Sequence, residues 1–184
     1  MTDEEVVALV CSGDKDKFAV IIQRYQDKLF RYIKRLTDRS TADIEDILSD
    51  VFISAYTNLL GFDPDKKFGS WIYRIAHNKV IDYFKSQKST YSLSEDSEEL
   101  VWNGEQLLED LEIEKENKKI IKAAVLELEL KYKEVILLFY FEGKSYQEIS
   151  DILHQNPNQV GVLIHRARQK LKQKLGKIYE KKSR

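Results

Sequence analysis

With 184 residues the chain has room for one medium or two small domains, and its 7 Gly and 2 Pro are too few turn formers for a many-stranded β fold. Hydrophobic residues at 42% and charged residues at 33% suit a soluble protein with a modest core. The net charge of −1 hides an asymmetry: residues 95–116 hold ten acids and one base, whereas residues 166–184 hold nine bases and one acid, which points to a polyanionic partner for the basic end.

In chain order, Thr2 and Glu5 form a capping box that opens a short helix through about Val10, ended by Gly13 and Asp14. Phe18, Ile21, Ile22, Tyr25, Leu29, Ile33 and Leu36 recur at helical spacing with one apolar stripe. A turn follows around Asp38 to Thr41, and Ile44, Ile47, Leu48, Val51, Phe52, Ala55 and Leu59 mark a third helix. Gly61 to Asp65 is a turn cluster, after which Ser70 precedes a fourth helix with Ile72, Ile75, Ala76, Val80, Ile81 and Phe84 on its core side. These pieces make one helical bundle over residues 1–86. Residues 87–116 begin rich in Ser and Glu and read as a flexible acidic linker, its later part helical in character. Residues 117–184 form a second helical domain. The expected fold is all-α: two small helical domains joined by that linker, the C-terminal one a helix-turn-helix.

The helix-turn-helix is the sharpest local pattern. A helix with Val135, Ile136, Leu138 and Phe139 ends at Gly143, which suits the left-handed position after a helix. Ser145 and Glu148 form a second capping box, and Ile149, Ile152 and Leu153 face inward. A break at His154 leads to Asn156 as cap, Pro157 in the first helical position and Gln159 as the reciprocal cap. The last helix carries Val160, Leu163, Ile164, Ala167 and Leu171 inside. Its amino end offers unpaired amides to phosphates, and Arg166, Arg168, Lys170, Lys172 and Lys174 add cationic charge. A plain helical hairpin with a solvated basic face would show the same spacing.

In the first domain, FGSWIYRIAHNKVIDYFKS interleaves aromatic rings with Arg74, His77, Asn78, Lys79 and Lys85. Rings can stack on unpaired bases while cations track phosphates. The same rings can equally be core, the stronger reading for Trp71 and Phe84. The helix around Asp46, Ser49 and Asp50 sets acids beside Val51 and Phe52, a pattern shared by docking surfaces and by ordinary amphipathic helices. Catalysis finds no support. His77, His154 and His165 lie far apart, no Gly-rich phosphate loop is present, and no cofactor is expected. Cys11 is the only cysteine, which excludes an intramolecular disulfide. The acidic start, MTDEEVVALV, lacks the pattern of a signal peptide, and no apolar run approaches the roughly 20 residues that span a bilayer. A cytoplasmic location without membrane insertion is expected.

Three segments, in order, resemble the sigma factors of the extracytoplasmic-function type, in the sigma-70 family. DIEDILSDVFISAY is similar to the family's segment that binds the polymerase clamp. FGSWIYRIAHNKVIDYFKS resembles its promoter-melting, minus-ten-reading helix. YKEVILLFYFEGKSYQEISDIL followed by VGVLIHRARQKLK resembles the helix-turn-helix that binds the minus-thirty-five element. The resemblance implies core RNA polymerase and promoter DNA as partners and leaves an anti-sigma factor open. It assigns polymerase binding to Asp46, Ile47, Asp50, Val51 and Phe52. It assigns minus-ten DNA contacts to Phe62, Phe68, Ser70, Trp71, Tyr73, Arg74, His77 and Asn78, with the loop from Phe62 to Ser70 trapping an extruded base. Minus-thirty-five contacts fall to Asn158, Gln159, Val162, His165, Arg166, Arg168 and Lys170.

One departure matters. Family recognition helices carry polar or basic side chains just after the position of Val160, where this chain has Gly161, Val162 and Leu163. Few side chains there can hydrogen-bond to base edges, although Gln159 can read an adenine and Val162 can touch a thymine methyl. Gly161 also weakens the helix by roughly 1 kcal/mol relative to Ala. Two rival readings remain at this stage: a stand-alone helix-turn-helix regulator, and a helical adaptor that never touches DNA.

Overall fold

The computed structural model of the chain describes residues 1–86, 107, 111 and 118–182, and every regular element among them is helical. The chain divides into two compact units, one N-terminal and one C-terminal. In the first, α1 spans Asp3–Cys11, α2 Phe18–Thr37, α3 Thr41–Thr57 and α4 Phe68–Ser86. Short 3₁₀ turns at Lys15–Lys17 and Leu59–Gly61 lie between them.

Local chemistry sets these boundaries. Both bonds of the Thr2–Glu5 capping box form, at 2.8 and 3.2 Å, and satisfy amides at the start of α1. Asp38 ends α2 in the left-handed region at φ 51°, its N–H donating to the Lys34 carbonyl at 2.9 Å. Ser40 then accepts the Asp43 N–H to cap α3. The core is the meeting of four apolar stripes: Val6 and Val10 of α1, Ile21, Leu29, Ile33 and Leu36 of α2, Ile44, Val51 and Ala55 of α3, and Phe68, Ile72, Ala76 and Val80 of α4. Asp3 also ties α1 to α2, accepting from Arg24 at 2.6 Å and from the Tyr25 hydroxyl at 2.5 Å.

The start of α4 departs from the sequence expectation. Ser70 lies inside the helix, which begins at Phe68. The cap is not local: the Phe68 N–H donates to Glu4 Oε1 of α1, 64 positions earlier, at 3.0 Å. That carboxylate sits where the helix dipole favours a negative charge.

In the C-terminal unit, α5 spans Lys118–Leu126, α6 Leu130–Ile136, α7 Tyr146–Leu153 and α8 Pro157–Lys182. A π-helical turn, Leu137–Phe141, extends α6, and Glu142 N–H reaches back to the Leu137 carbonyl at 3.0 Å. The linker expected over 87–116 lies outside the described residues except for Leu107 and Leu111. Both are buried, and the Leu111 N–H donates to the Leu107 carbonyl at 3.1 Å. Val160, Ile164, Ala167, Leu171 and Leu175 form one buried stripe along α8, which packs against α5 and α6. No helix among the described residues is long and apolar enough to cross a membrane.

Candidate functional site

Three surfaces carry the candidate residues. On α3, Asp46 and Asp50 are exposed, Phe52 is half-buried, and Ile47 and Val51 are buried in the core. Ile47 and Val51 therefore hold the helix in place and cannot present side chains to a partner. Spacing explains the split. Ile44, Ile47, Val51 and Ala55 make the inner stripe, while Asp46, Asp50 and Ile53 recur on the outer one. Along that outer edge lie Ile53, Tyr56 and Leu60, which are 61%, 40% and 83% exposed. Tyr56 is braced edge-on by Phe18 at 5.0 Å between ring centroids. Sequence reasoning passed over these three apolar residues, although continuing the Asp46–Asp50 spacing to Ile53 would have found the first.

Around the start of α4 four of the expected DNA-contact residues turn inward. Phe62, Phe68, Ser70 and Tyr73 are buried, so none of their side chains can stack on or hydrogen-bond to an extruded base in this conformation. Phe68 lies 5.5 Å from Phe62, 5.5 Å from Trp71 and 5.8 Å from Tyr25, in edge-on or tilted contacts. Tyr73 packs on Tyr32 at 5.3 Å. Such ring pairs stabilise beyond their buried area by about 0.5–1.5 kcal/mol each. The outer stripe of α4 is Trp71, Arg74, His77 and Asn78, the first three half-buried and Asn78 exposed. These four, spaced i, i+3, i+6 and i+7, share one helix face beside the exposed turn of residues 63–67.

The helix-turn-helix is built by its caps. Gly143 takes φ +62°, and Ser145 and Glu148 close the second capping box. His154 sits left-handed at φ 51° between α7 and α8, its N–H bonded to the Ser150 carbonyl. Asn156 Oδ1 accepts the Asn158 N–H at 2.9 Å, and Gln159 Oε1 accepts the Asn156 N–H at 3.2 Å. Asn158, Gln159, Val162, His165 and Arg166 are exposed on the outer face of α8, and Arg168 is half-buried.

Two of the expected DNA cations are engaged within the protein. Lys170 donates to Glu129 Oε1 at 3.0 Å and lies 5.0 Å over the Tyr132 ring. Hydrogen bonds from Lys170 and Lys131 hold the Glu129 carboxyl below its usual pKa, and the same carboxylate pushes the Lys170 ammonium up. Lys174 pairs with Glu127, the next acid along the same connection. A solvated pair of this kind contributes little stability, yet it places carboxylates against both lysines and dilutes the field they offer to DNA. Arg166 is exposed on the outer face of α8, beside Val162 and His165. Among the described residues there is no cluster of three or more His, Cys, Asp or Glu that could hold a metal ion.

Comparison with known proteins agrees with this layout. Sigma-70 region 2 matches residues 21–90, and sigma-70 region 4 matches residues 118–171. The sigma factor SigW of Bacillus subtilis is 35% identical, over 90% of this chain and 92% of that protein. The sigma-E factor of Haemophilus influenzae is 30% identical, over 95% and 96%. The chain belongs to the extracytoplasmic-function sigma factors of the sigma-70 family. Its function is that of an RNA polymerase sigma factor, in promoter-directed transcription initiation. Among solved structures, CnrH in complex with the cytosolic domain of CnrY superposes with a TM-score of 0.70 at 25% identity, covering 95% of this chain and 97% of that one. RpoE of Bartonella quintana, solved with the anti-sigma factor NepR, shares the fold at a TM-score of 0.64 and 16% identity, over 86% and 96%.

Proposed function

We propose a division of labour between the units in this sigma factor. Residues 1–86 dock core RNA polymerase and open the minus-ten element; residues 117–184 hold the minus-thirty-five element; residues 87–116 connect them. The observation that carries this reading is the split of α3 and α4 into buried inner stripes and solvent-facing outer ones. Asp46, Asp50, Phe52, Ile53 and Tyr56 form an acidic edge running into apolar anchors, suited to a protein partner. Arg74, His77 and Asn78 form a polar, partly cationic face suited to a displaced strand, with Trp71 at its edge. On α8, Arg166 and the amino end of the helix meet phosphates while Asn158, Gln159, Val162 and His165 face the base edges.

The factor acts without catalytic chemistry of its own, in the cytoplasm where transcription takes place. Because CnrH and RpoE were solved with the cytosolic domain of CnrY and with an anti-sigma factor, an inhibitory partner is proposed for this chain too. The deciding experiment reconstitutes the purified chain with core polymerase on genomic DNA and sequences the transcripts. Initiation clustered behind a shared two-element motif supports the proposal. Transcription no different from core alone overturns it, and specific DNA binding without core would favour a stand-alone regulator.

A further inference from the structure

The reading face of α8 contains a gap filled from another helix. A Cβ built on Gly161 would lie 3.4 Å from Cε2 and 3.8 Å from Cδ2 of Tyr146, so the tyrosine ring of α7 lies over the glycine. The ring is braced by Phe139 at 5.3 Å, which in turn meets Tyr140 at 4.8 Å. Tyr146 is still 38% exposed and Val162, its neighbour on the reading face, is 49% exposed. With Pro157, Asn158, His165 and Arg166 they border a shallow open groove of about 470 Å³.

The polar groups around this groove are already partly committed. Gln159 Oε1 caps Asn156, and a bidentate adenine contact needs that oxygen. His165 Nε2 is 3.1 Å from Gln169 Nε2. Facing outward there are apolar surface from Tyr146 and Val162, the exposed Asn158 side chain and, at the border, the Arg166 cation. Duplex DNA matches that arrangement: phosphates for the cation and, from thymine alone among the four bases, a methyl group in the major groove.

We infer that Tyr146 is a specificity-determining residue of this sigma factor, and that it forms with Val162 a receptor for a thymine methyl of the minus-thirty-five element. The bare Cα of Gly161 keeps this side of α8 clear of any side chain longer than alanine's, which would compete with the ring for the surface. The inference rests on the proposed use of α8 as the DNA-reading helix.

The test uses holoenzyme assembled from core polymerase and the full chain. Promoters with a randomised minus-thirty-five element are selected for binding, and each enriched thymine is then replaced by uracil, which pairs identically but lacks the methyl. Losing one buried methyl should weaken binding about fourfold at one or two positions. Tyr146→Phe should keep that ratio, and Tyr146→Ala should bring it to near one. Val162→Ser, at an exposed position, should also shrink it and carries the test if Tyr146→Ala does not fold. Equal affinity for thymine and uracil, or a ratio that survives both Tyr146→Ala and Val162→Ser, overturns the inference while leaving α8 as the DNA helix. No enrichment at minus thirty-five, together with unchanged affinity in Arg166→Ala, overturns the inference and the proposed role of α8 alike.

Discussion

Phe68 separates a core role from a DNA-stacking role, because the two predict opposite results from a pair of substitutions. Its side chain is fully buried and meets the rings of Phe62, Trp71 and Tyr25 at 5.5, 5.5 and 5.8 Å. Truncating such a ring to alanine costs about 3–5 kcal/mol from lost transfer energy and the cavity left behind. Small domains have about 5–15 kcal/mol in total, so Phe68→Ala should leave the N-terminal unit marginal. Phe68→Leu keeps most of the volume and loses mainly the ring contacts, a cost of about 1–3 kcal/mol. Urea unfolding followed by Trp71 fluorescence, in a Trp102→Phe background, reads both values beside the substituted ring. The midpoint should fall by roughly 2 M for alanine, given a slope of about 1–3 kcal/mol per M. At a temperature where Phe68→Leu is folded, its holoenzyme should open promoters close to the parental level. A cost below about 1 kcal/mol for alanine would refute the packing argument. A folded leucine variant with open complexes down tenfold would show that the ring meets DNA.

Four further outcomes follow from the same geometry. Asp50→Arg, at an exposed position of α3, should leave the fold intact and weaken core polymerase binding by about tenfold, or 1.4 kcal/mol; a pull-down that does not change rejects the acidic docking edge. Asn78→Ala should keep core binding and reduce permanganate reactivity at minus ten, since one lost base contact is worth about 1–3 kcal/mol; equal reactivity in mutant and parent rejects the melting face. Gly161→Ala places its Cβ at ordinary contact distance from Tyr146, so the better helix former should stabilise α8 by about 0.5–1 kcal/mol, seen as slower amide exchange. Burial, and then its hydrogen bond to Asp3, push the Tyr25 hydroxyl above its ordinary pKa of 10.0. The folded state therefore favours the neutral phenol: its contribution is complete below about pH 10, where the unfolded phenol titrates, and is lost above. Alkaline unfolding of the N-terminal unit should be shallower in Tyr25→Phe, and an unchanged profile removes Tyr25 as the titrating group.

The helices were legible because their signals are local. Thr2 with Glu5, Ser145 with Glu148, and Asn156 with Pro157 and Gln159 each satisfy amides within one turn, so three or four adjacent residues suffice to read them. The start of α4 was misread for the complementary reason. Its cap comes from Glu4, and no window around Ser70 contains that carboxylate. The π-helical turn after α6 left no mark either, because Leu137–Phe141 is apolar throughout and fits an α-helix equally well.

Site residues were harder to read, since a resemblance places a segment without saying which side of the helix meets the partner. Ile47, Val51, Phe62, Phe68, Ser70 and Tyr73 all lie in the right segments and all point inward. A 3.6-residue period would have sorted most of them, because the inner and outer stripes of α3 and α4 alternate at that spacing. Lys170 and Lys174 needed more: their acidic partners stand more than 40 positions earlier, in the connection before α6. Tyr146 needed most of all. From the sequence, Gly161 looks like a loss, a helix weakened and a reading side chain missing. In three dimensions the bare backbone at Gly161 faces the ring of Tyr146, which belongs to the preceding helix. The inferred receptor is thereby shared between α7 and α8, a property of the pair that neither segment carries alone.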